Sequence, residues 1–420
     1  MKEKRTGKRE KSRVIGLLAA FAALLSIGAG PAAAEKPTVR AITAFVRLDA
    51  AKHEAQVREA LGVLRRIKGS YQNAGYQVQT IRIALQPLGE YTRGLSREQA
   101  LALFRALQKL SRDEQFALAV GPALHTPTAA AGEAELLAAA LRENTALDAS
   151  LTVATEDGVR WPAVRAAAKV MKLLAEQTPG GLGNFNFAAS ALVPPRTPFF
   201  PAGYHAGPGR EFAVALQSAN VILAAIKPGD TLGANAAAIE VAMSAEAGAV
   251  ETIAQAAEKE TGWKYAGMDL SPAPLKDVSI GAAIEKLTGA KFGAAGTLSA
   301  AVMLTGVLRR VPVRQAGYSG LMLPVLEDSV LAQRWSEGAV EMDALLAYSA
   351  VCGAGLDTIP LPGDVTEAQL ARMIGDVASL AVKLGKPLSV RLMPVRGKKA
   401  GERSAFDDPF LVNAVLQPVK

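Results

Sequence analysis

The stretch TVRAITAFVRLD, from Thr38 to Asp49, alternates apolar and polar residues and is followed from Ala51 to Asn73 by apolar residues at helical spacing. The first pattern is typical of a half-buried strand and the second of an amphipathic helix. Strand-like and helix-like stretches continue to alternate as far as the C-terminus. This alternation predicts an α/β protein in which helices surround a central sheet.

The next elements follow the same pattern. Strands are predicted from Tyr76 to Leu85 and from Phe116 to Val120. Helices are predicted from Ser96 to Leu110 and from Pro162 to Gln177, the first with Ser96 at its start.

Two loops interrupt this alternation. They are TPGGLG, from Thr178 to Gly183, and VPPRTPFFPAGYHAGPG, from Val193 to Gly209. Proline, glycine and aromatic residues are concentrated there, and such loops often carry binding groups on a rigid frame.

The composition excludes several classes of protein. The chain has 420 residues, of which 50% are hydrophobic, and contains one cysteine, Cys352. Such a hydrophobic fraction excludes a disordered chain, and a single cysteine excludes a disulfide scaffold. No repeat and no low-complexity linker occurs, so we predict a single α/β domain over residues 35–420.

The positive charge is concentrated at the N-terminus. The formal net charge is +8, and the first 13 residues contain seven basic and two acidic side chains. An uncharged apolar run extends from Val14 to Gly30, and Pro31 to Ala34 offers small residues for cleavage after Ala34. This order is typical of a secretory signal, which we predict over residues 1–34.

The predicted signal leaves two interpretations open: a cleaved signal peptide, or an uncleaved anchor, because the apolar run is at the lower limit of a membrane span. We expect cleavage, and hence a periplasmic or secreted protein. Five of the eight net charges leave with the signal, which removes the argument for a nucleic-acid partner. After cleavage no membrane partner is expected, and assembly into a homo-oligomer stays open.

Common catalytic motifs are absent from the sequence. No HExxH, GxGxxG after a strand, GxxxxGK[ST] or GxSxG occurs. His53 lies near a predicted helix start and is expected to face solvent. His205 and Tyr204 lie in the glycine-rich aromatic loop, where they are candidate substrate-binding residues or simply pack the loop.

Several carboxylates follow apolar runs, where the strand-end loops of α/β sheets converge on ligands. Asp269, Glu327 and Asp357 are therefore candidate catalytic residues. Asp269, Asp357 and Asp364 are candidate ligands of a divalent cation. Asp364 and Asp328 also fit helix N-caps, so both interpretations stay open for them.

Basic residues cluster near the C-terminus. Arg391, Lys398 and Lys399 are candidate ligands of an anionic substrate, because the intervening glycines are typical of an anion-binding loop. A solvated surface turn is the alternative for this segment. Cys352 is a candidate nucleophile, with a buried structural cysteine as the alternative.

Six segments resemble the family of domain of unknown function 711, and together they run from Val39 nearly to the C-terminus. The matching segments are VRAITAFV (Val39 to Val46), PFFPAGYHAGPG (Pro198 to Gly209), GMDLSPAP (Gly267 to Pro274), GYSGLMLPVLED (Gly317 to Asp328), CGAGLDTIPLPGD (Cys352 to Asp364) and VRLMPVRGKKAGERSAFDD (Val390 to Asp408).

The resemblance implies a fold similar to that of pyruvate formate-lyase-like glycyl radical enzymes, a barrel of about ten strands surrounded by helices. Radical chemistry is not expected. Gln315 departs from the radical motif, and Gly317 precedes Cys352, whereas in those enzymes the cysteine comes first.

Two functions follow as hypotheses. The first is an exported enzyme acting on a small anionic metabolite through a carboxylate-lined site, with an unknown cofactor that includes a divalent cation among its alternatives. The second is a non-catalytic periplasmic protein that binds a small molecule in the same place.

Overall fold

The computed structural model describes residues 36–130 and 132–419, so the predicted signal at residues 1–34 lies outside the described residues. One sheet runs through the described part of the chain. Its strands are β1 (Thr38–Val46), β2 (Val78–Leu85), β3 (Ala117–Ala123), β4 (Leu147–Thr155), β5 (Gly158–Val159), β6 (Phe187–Ala191), β7 (Glu211–Gln217), β8 (Lys264–Asp269), β9 (Gly355–Pro362) and β10 (Leu388–Val395).

Helices connect most of these strands. They are α1 (His53–Asn73), α2 (Leu88–Thr92), α3 (Arg97–Glu114), α4 (Glu133–Glu143), α5 (Trp161–Gln177), α6 (Ala219–Ala225), α7 (Leu232–Thr261), α8 (Ile280–Thr288), α9 (Thr297–Arg310), α10 (Ser329–Ser336), α11 (Met342–Ser349) and α12 (Glu367–Leu384). Short 3-10 helices occupy Ala50–Lys52, Pro179–Asn186 and Val325–Glu327. None of the described helices combines the length and apolar character needed to cross a membrane.

The strand order is β8-β7-β1-β2-β3-β4-β6-β10-β9, with β5 paired to β4. The five strands β1, β2, β3, β4 and β6 run parallel to one another. The pairs β7–β8 and β9–β10 are also parallel, but β7 runs antiparallel to β1 and β10 antiparallel to β6. The sheet therefore consists of a central parallel group flanked by two parallel pairs of opposite direction.

The sheet is not closed by strand pairing. Between its edge strands β8 and β9 lies an irregular segment, which bridges to β8 at Met268–Gln315 and to β9 at Pro324–Asp357. The α/β class and the sheet with surrounding helices are thus confirmed, whereas the closed barrel inferred from the family resemblance is not shown.

The two faces of the sheet differ in chemistry. On one face, apolar side chains such as Ile42, Ile83 and Val214 belong to the main core, together with helix residues. The other face, here called the inner face, is filled from the loop at 193–209. Phe200 packs there against residues from four strands, which are Phe45, Ala84, Ala119 and Ala213.

The predicted elements correspond closely to the observed ones. The helix expected from Ala51 to Asn73 is α1 preceded by one 3-10 turn. The helix expected from Ser96 is α3, where Ser96 and Gln99 form a capping box. Ser96 accepts a hydrogen bond from the Gln99 backbone N–H, which satisfies a donor that the first helical turn leaves free.

Candidate functional site

A buried network of ion pairs lies on the inner face of the sheet. Arg391 of β10 donates from Nε to Asp357 Oδ1 at 2.6 Å and from Nη2 to Glu327 Oε1. Arg40 of β1 donates from Nη2 to the other oxygen of Glu327 at 2.9 Å. These four residues are here called the charge network. Through the carboxylate of Glu327, the network joins β1 and β10, the first and last strands in chain order.

Irregular strand pairing positions this network. Arg40 is the extra residue of β1 at a shift in register against β7. Asp357 and Thr358 together oppose Arg391 where β9 pairs with β10, and Thr358 has a φ of 47°. Such bulges re-aim side chains and are frequent beside active sites. Here they accompany charged side chains within otherwise apolar strands.

The charges of the network are balanced by pairing. Burial raises the pKa of Glu327, but Arg391 and Arg40 outweigh burial and hold that pKa below its ordinary value. For Asp357 burial dominates, so its pKa lies above the ordinary value despite the adjacent Arg391. The second oxygen of Asp357, Oδ2, is buried and has no hydrogen-bond partner among the described residues. That oxygen is available to a hydrogen-bond donor of a ligand.

Arg82 provides a positive charge beside the network. Its Nε donates to Thr80 Oγ1 at 2.9 Å, and its guanidinium lies 5.0 Å from the Phe200 ring centroid. Arg82 forms no ion pair with another described residue. Burial and then the nearby Arg40 lower the pKa of Arg82 to about 9. The guanidinium still carries its charge at neutral pH.

Asp148 of β4 is the second titratable group here. Burial raises the pKa of Asp148 to about 7, although Arg82 and Arg391 act to lower it. Between its strand and β2, the strand of Arg82, lies β3. In the strand pairing, Ala117 of β3 is opposite Arg82 and Ala119 is opposite Asp148. The small alanines leave space between the two charged side chains. Both Arg82 and Asp148 are partly accessible to solvent.

A cavity of about 20 Å³ adjoins Arg40 and Arg82, and its lining also includes Phe199 and Ser271. This volume is sufficient for one water molecule. The site thus combines two guanidinium groups and aromatic rings around a small, partly open cavity.

Asp269 holds a loop rather than presenting a free carboxylate. Its two oxygens accept hydrogen bonds from the backbone N–H groups of Ser271, Tyr318 and Ser319 at 2.9–3.1 Å. Burial raises the pKa of Asp269, against the effect of these bonds. A Cβ at Gly317 would lie 2.2 Å from Asp269 Oδ2, so the loop approaches closely only because this residue is glycine.

The three acids predicted as metal ligands do not form a metal site. Within residues 36–130 and 132–419, no group of three or more His, Cys, Asp or Glu side chains could hold a metal ion. Asp364 is exposed, and the N-cap of α12 is Thr366, which forms a capping box with Gln369. The prediction that Asp364 shares a site or caps this helix is therefore wrong. Two further residues separate it from the helix start.

Asp328 is a structural residue. Its carboxylate accepts from Val330 and Leu331 at the start of α10, and also from the backbone of Ile280 and Gly281 at the start of α8. One buried side chain thus caps two helices, which confirms the capping interpretation.

Cys352 is buried, with 1% of its surface exposed. Lys386 donates from Nζ to the backbone oxygens of Ser349, Ala350 and Cys352, so this lysine caps the C-terminal end of α11. Burial of the thiol agrees with a structural cysteine. The structure offers no route for Cys352 to act as an exposed nucleophile.

The C-terminal lysines lie in a surface turn. Lys398 Nζ is 3.3 Å from Glu402 Oε1, and the backbone N–H of Lys399 donates to Glu402 Oε2 at 2.7 Å. Both pairings occur after the end of β10, in a segment that is largely exposed. Of the predicted basic group, the structure therefore places only Arg391 in the charge network.

His205 and Tyr204 pack the aromatic loop against the sheet. The backbone N–H of His205 donates to Leu85 O at 2.9 Å, and Tyr204 Oη donates to Val193 O at 3.2 Å. Burial lowers the pKa of His205 and raises that of Tyr204 to about 12. These contacts match the loop-packing alternative for both residues.

The sequence reasoning missed three residues of the site: Arg40, Arg82 and Asp148. Each is a single charged residue inside an apolar strand, as in TIRIAL around Arg82 and LDASLTVA around Asp148. A charge in such a run is costly to bury without a partner or a ligand. That signal was present in the sequence.

Comparison with known proteins gives a consistent family. A family model described as Uncharacterised ACR (DUF711) matches residues 32–407. A UPF0210 protein of Pyrobaculum arsenaticum is 32% identical over 345 residues, covering 78% of this chain and 76% of the relative. A UPF0210 protein of Desulforudis audaxviator is 30% identical over 350 residues, covering 79% and 77%.

Proposed function

This chain belongs to the Uncharacterised ACR (DUF711) family, and we propose that its inner face binds a small anionic metabolite and exchanges a proton with it. The observation that carries the proposal is Arg82. This cation stands on the inner face without an ion pair among the described residues, beside a carboxyl group that titrates near pH 7. A cation that is largely withdrawn from solvent normally has a partner, and an anionic ligand would supply one to Arg82.

Arg82 is the group that contacts the anion in this proposal. Arg40 and Arg391 are already paired with Glu327 and Asp357, so their charges are largely balanced inside the protein. The guanidinium of Arg82 would use its terminal nitrogens to bind a carboxylate or a phosphate through two parallel hydrogen bonds. Because the cavity beside it has room for only one water molecule, such a ligand requires the aromatic loop at 193–209, which supplies Phe199 and Phe200 to the lining, to move outward.

Asp148 is the acid–base group of the proposal. A carboxyl group with a pKa of about 7 exists in both protonation states at neutral pH, which is the condition for efficient proton transfer. Asp148 would accept a proton from the bound metabolite or return one to it. The buried Asp357 Oδ2 would accept a hydrogen bond from the same ligand.

The binding half of the proposal is tested by titration with succinate and with inorganic phosphate, using calorimetry. Arg82→Gln should weaken binding of the preferred anion by about tenfold or more, because a charge-assisted hydrogen bond is lost. Arg66→Gln, an exposed arginine on α1, is the matched control and should leave the affinity unchanged. Equal affinity in Arg82→Gln and the unaltered protein would refute this site.

The catalytic half has a separate readout. Any anion that binds is incubated with the protein and followed by NMR for chemical conversion or hydrogen exchange with solvent. Asp148→Asn should abolish conversion and retain binding, since the amide cannot exchange a proton. Binding without conversion in the unaltered protein would leave the alternative, a non-catalytic binding protein. The pairing of Glu327 with Arg391 is the observation that favours that alternative, because it holds Glu327 ionised and occupied by a partner instead of free to exchange a proton.

Export and a barrel architecture are also part of the proposal. The family model begins its match at residue 32, so the predicted signal lies almost wholly outside the family domain. The bridges Met268–Gln315 and Pro324–Asp357 support an arrangement in which the intervening segment takes the place of a strand between β8 and β9. Cell fractionation, with mass measurement of the mature N-terminus, tests export and cleavage after Ala34.

A further inference from the structure

A second cavity, of about 740 Å³, lies at the carboxyl ends of the adjacent parallel strands β4 and β6. The residues that line it include His125, Thr152, Ser190 and Tyr204. None of these belongs to the charge network. Its volume is in the range of pockets for small organic ligands, and the carboxyl ends of parallel strands are where such ligands usually bind. We propose that this cavity binds a small organic ammonium ion.

The buried polar groups of the cavity are rich in hydrogen-bond acceptors. Ser190 Oγ donates to Leu151 O at 3.3 Å, which leaves its lone pairs available. His125 Nδ1 lies 3.1 Å from Thr152 Oγ1, so one hydrogen bond joins this ring and this hydroxyl. Burial, with a smaller contribution from Arg160, lowers the pKa of His125. The ring is therefore neutral, and its Nε2 is an acceptor whenever Nδ1 carries the proton.

The charges of the cavity favour a cation. Its lining contains no lysine and no arginine, but it does contain Glu156 and Asp157 at the turn between β4 and β5. Both carboxylates are exposed at the rim, and neither forms an ion pair within the described residues. Arg160 lies near His125, but its guanidinium donates to the backbone oxygens of Leu124 and Thr126 and is not part of the lining. Among the lining residues an anionic ligand would meet only like charge, whereas an ammonium group would meet two carboxylates.

Aromatic rings are the third feature of the cavity that favours an ammonium ion. The rings of His125 and Tyr204 lie with their centroids 4.8 Å apart and their planes at 57°. Tyr204 Oη is held by Val193 O, which fixes the orientation of the ring in the wall of the cavity. The face of a tyrosine ring attracts an ammonium group, and the attraction strengthens when solvent is excluded.

Three probes of equal carbon chain length separate the chemistries: putrescine, butanediol and succinate. Each is titrated calorimetrically into the full protein at low ionic strength, where exposed charges are least screened. Putrescine should bind saturably and butanediol much more weakly. Glu156→Gln/Asp157→Asn should weaken putrescine binding by about tenfold, since each exposed charge contributes modestly.

The controls separate a local effect from a change in overall charge. Glu98→Gln/Glu367→Gln removes two exposed carboxylates from the starts of α3 and α12, and should alter putrescine affinity by less than about twofold. Ser190→Ala removes one acceptor from the floor and should weaken binding by about threefold.

Each outcome decides the proposal. Putrescine affinity that falls equally in both double variants would indicate non-specific attraction and overturn it. Butanediol binding as tightly as putrescine, or no saturable putrescine binding, would also overturn it. Succinate binding that depends on Arg82 and not on Glu156 would belong to the inner face, so the two sites fail or succeed separately.

Discussion

Replacing Asp148 with asparagine should make the protein more stable at pH 8 and leave its stability nearly unchanged at pH 4. Burial raises the pKa of Asp148 from 3.8 to about 7. A carboxyl group whose pKa rises on folding is destabilising when ionised. The free-energy cost of ionisation is absent below the pKa of Asp148 in the unfolded state and increases between pH 4 and pH 7. It is complete above the pKa of Asp148 in the folded state.

The magnitude follows from the size of the pKa change. A rise from 3.8 to about 7 corresponds to about 4 kcal/mol of free energy for the ionised form. This is an upper limit, because Asp148 is partly accessible to solvent, which reduces the cost. The rise already includes the opposing attraction of Arg82 and Arg391, so the reduction comes from solvent access alone. We expect Asp148→Asn to gain about 2 kcal/mol in unfolding free energy at pH 8.

Urea unfolding between pH 4 and pH 8, followed by circular dichroism, measures this difference. Asp230→Asn, in an exposed turn before α7, is the matched control, and its difference from the unaltered protein should not vary with pH in this way. A gain that is the same at every pH would indicate better packing instead of charge removal. A loss of stability in Asp148→Asn at pH 8 would refute the conclusion that burial raises the pKa of Asp148.

Three further results are expected from urea unfolding at pH 7. Arg391→Met should destabilise the protein by about 3–5 kcal/mol, because it leaves Glu327 buried without its main partner, and Glu327→Gln in the same background should recover part of the loss. Asp328→Ala should cost about 3 kcal/mol, since two helix starts lose their cap, and a cost below that of an ordinary single cap would contradict the double role. Gly317→Ala should cost several times more than Gly180→Ala, which is expected to cost about 1 kcal/mol. Both glycines have φ near 60°, but a Cβ meets a carboxylate only at Gly317, so equal costs would refute the steric argument.

The local structure was predictable because it depends on local patterns. The helix start at Ser96 and the apolar spacing of α1 are contained within a few turns of chain, and both were predicted correctly. Asp364 shows the limit of predicting helix caps from residue type alone. A serine, threonine or aspartate near a helix start is a good candidate cap, but Thr366 two residues later has the partner Gln369 at the right spacing.

The site was predictable only in part because it depends on pairing between distant strands. Glu327 and Asp357 were identified from their positions beside apolar runs, and Arg391 from the cluster of basic residues near the C-terminus. Their union into one network depends on bulges in β1 and β9, which alternation of residues does not reveal. Arg82 was not identified because the stretch from Tyr76 to Leu85 was interpreted only as a strand, with no role assigned to its charged residue.

The charge network has a consequence for how the protein acquires its final form. Glu327 is held between Arg40 from the first strand and Arg391 from the last, so the network cannot form until nearly the whole chain is present. Contacts between such distant parts of a chain are slow to form. A chain that ended before β10 would lack Arg391, so Glu327 would keep only Arg40 as an ion-pair partner and would be costly to bury. A newly made chain therefore cannot complete the network until β10 (Leu388–Val395) has been synthesised.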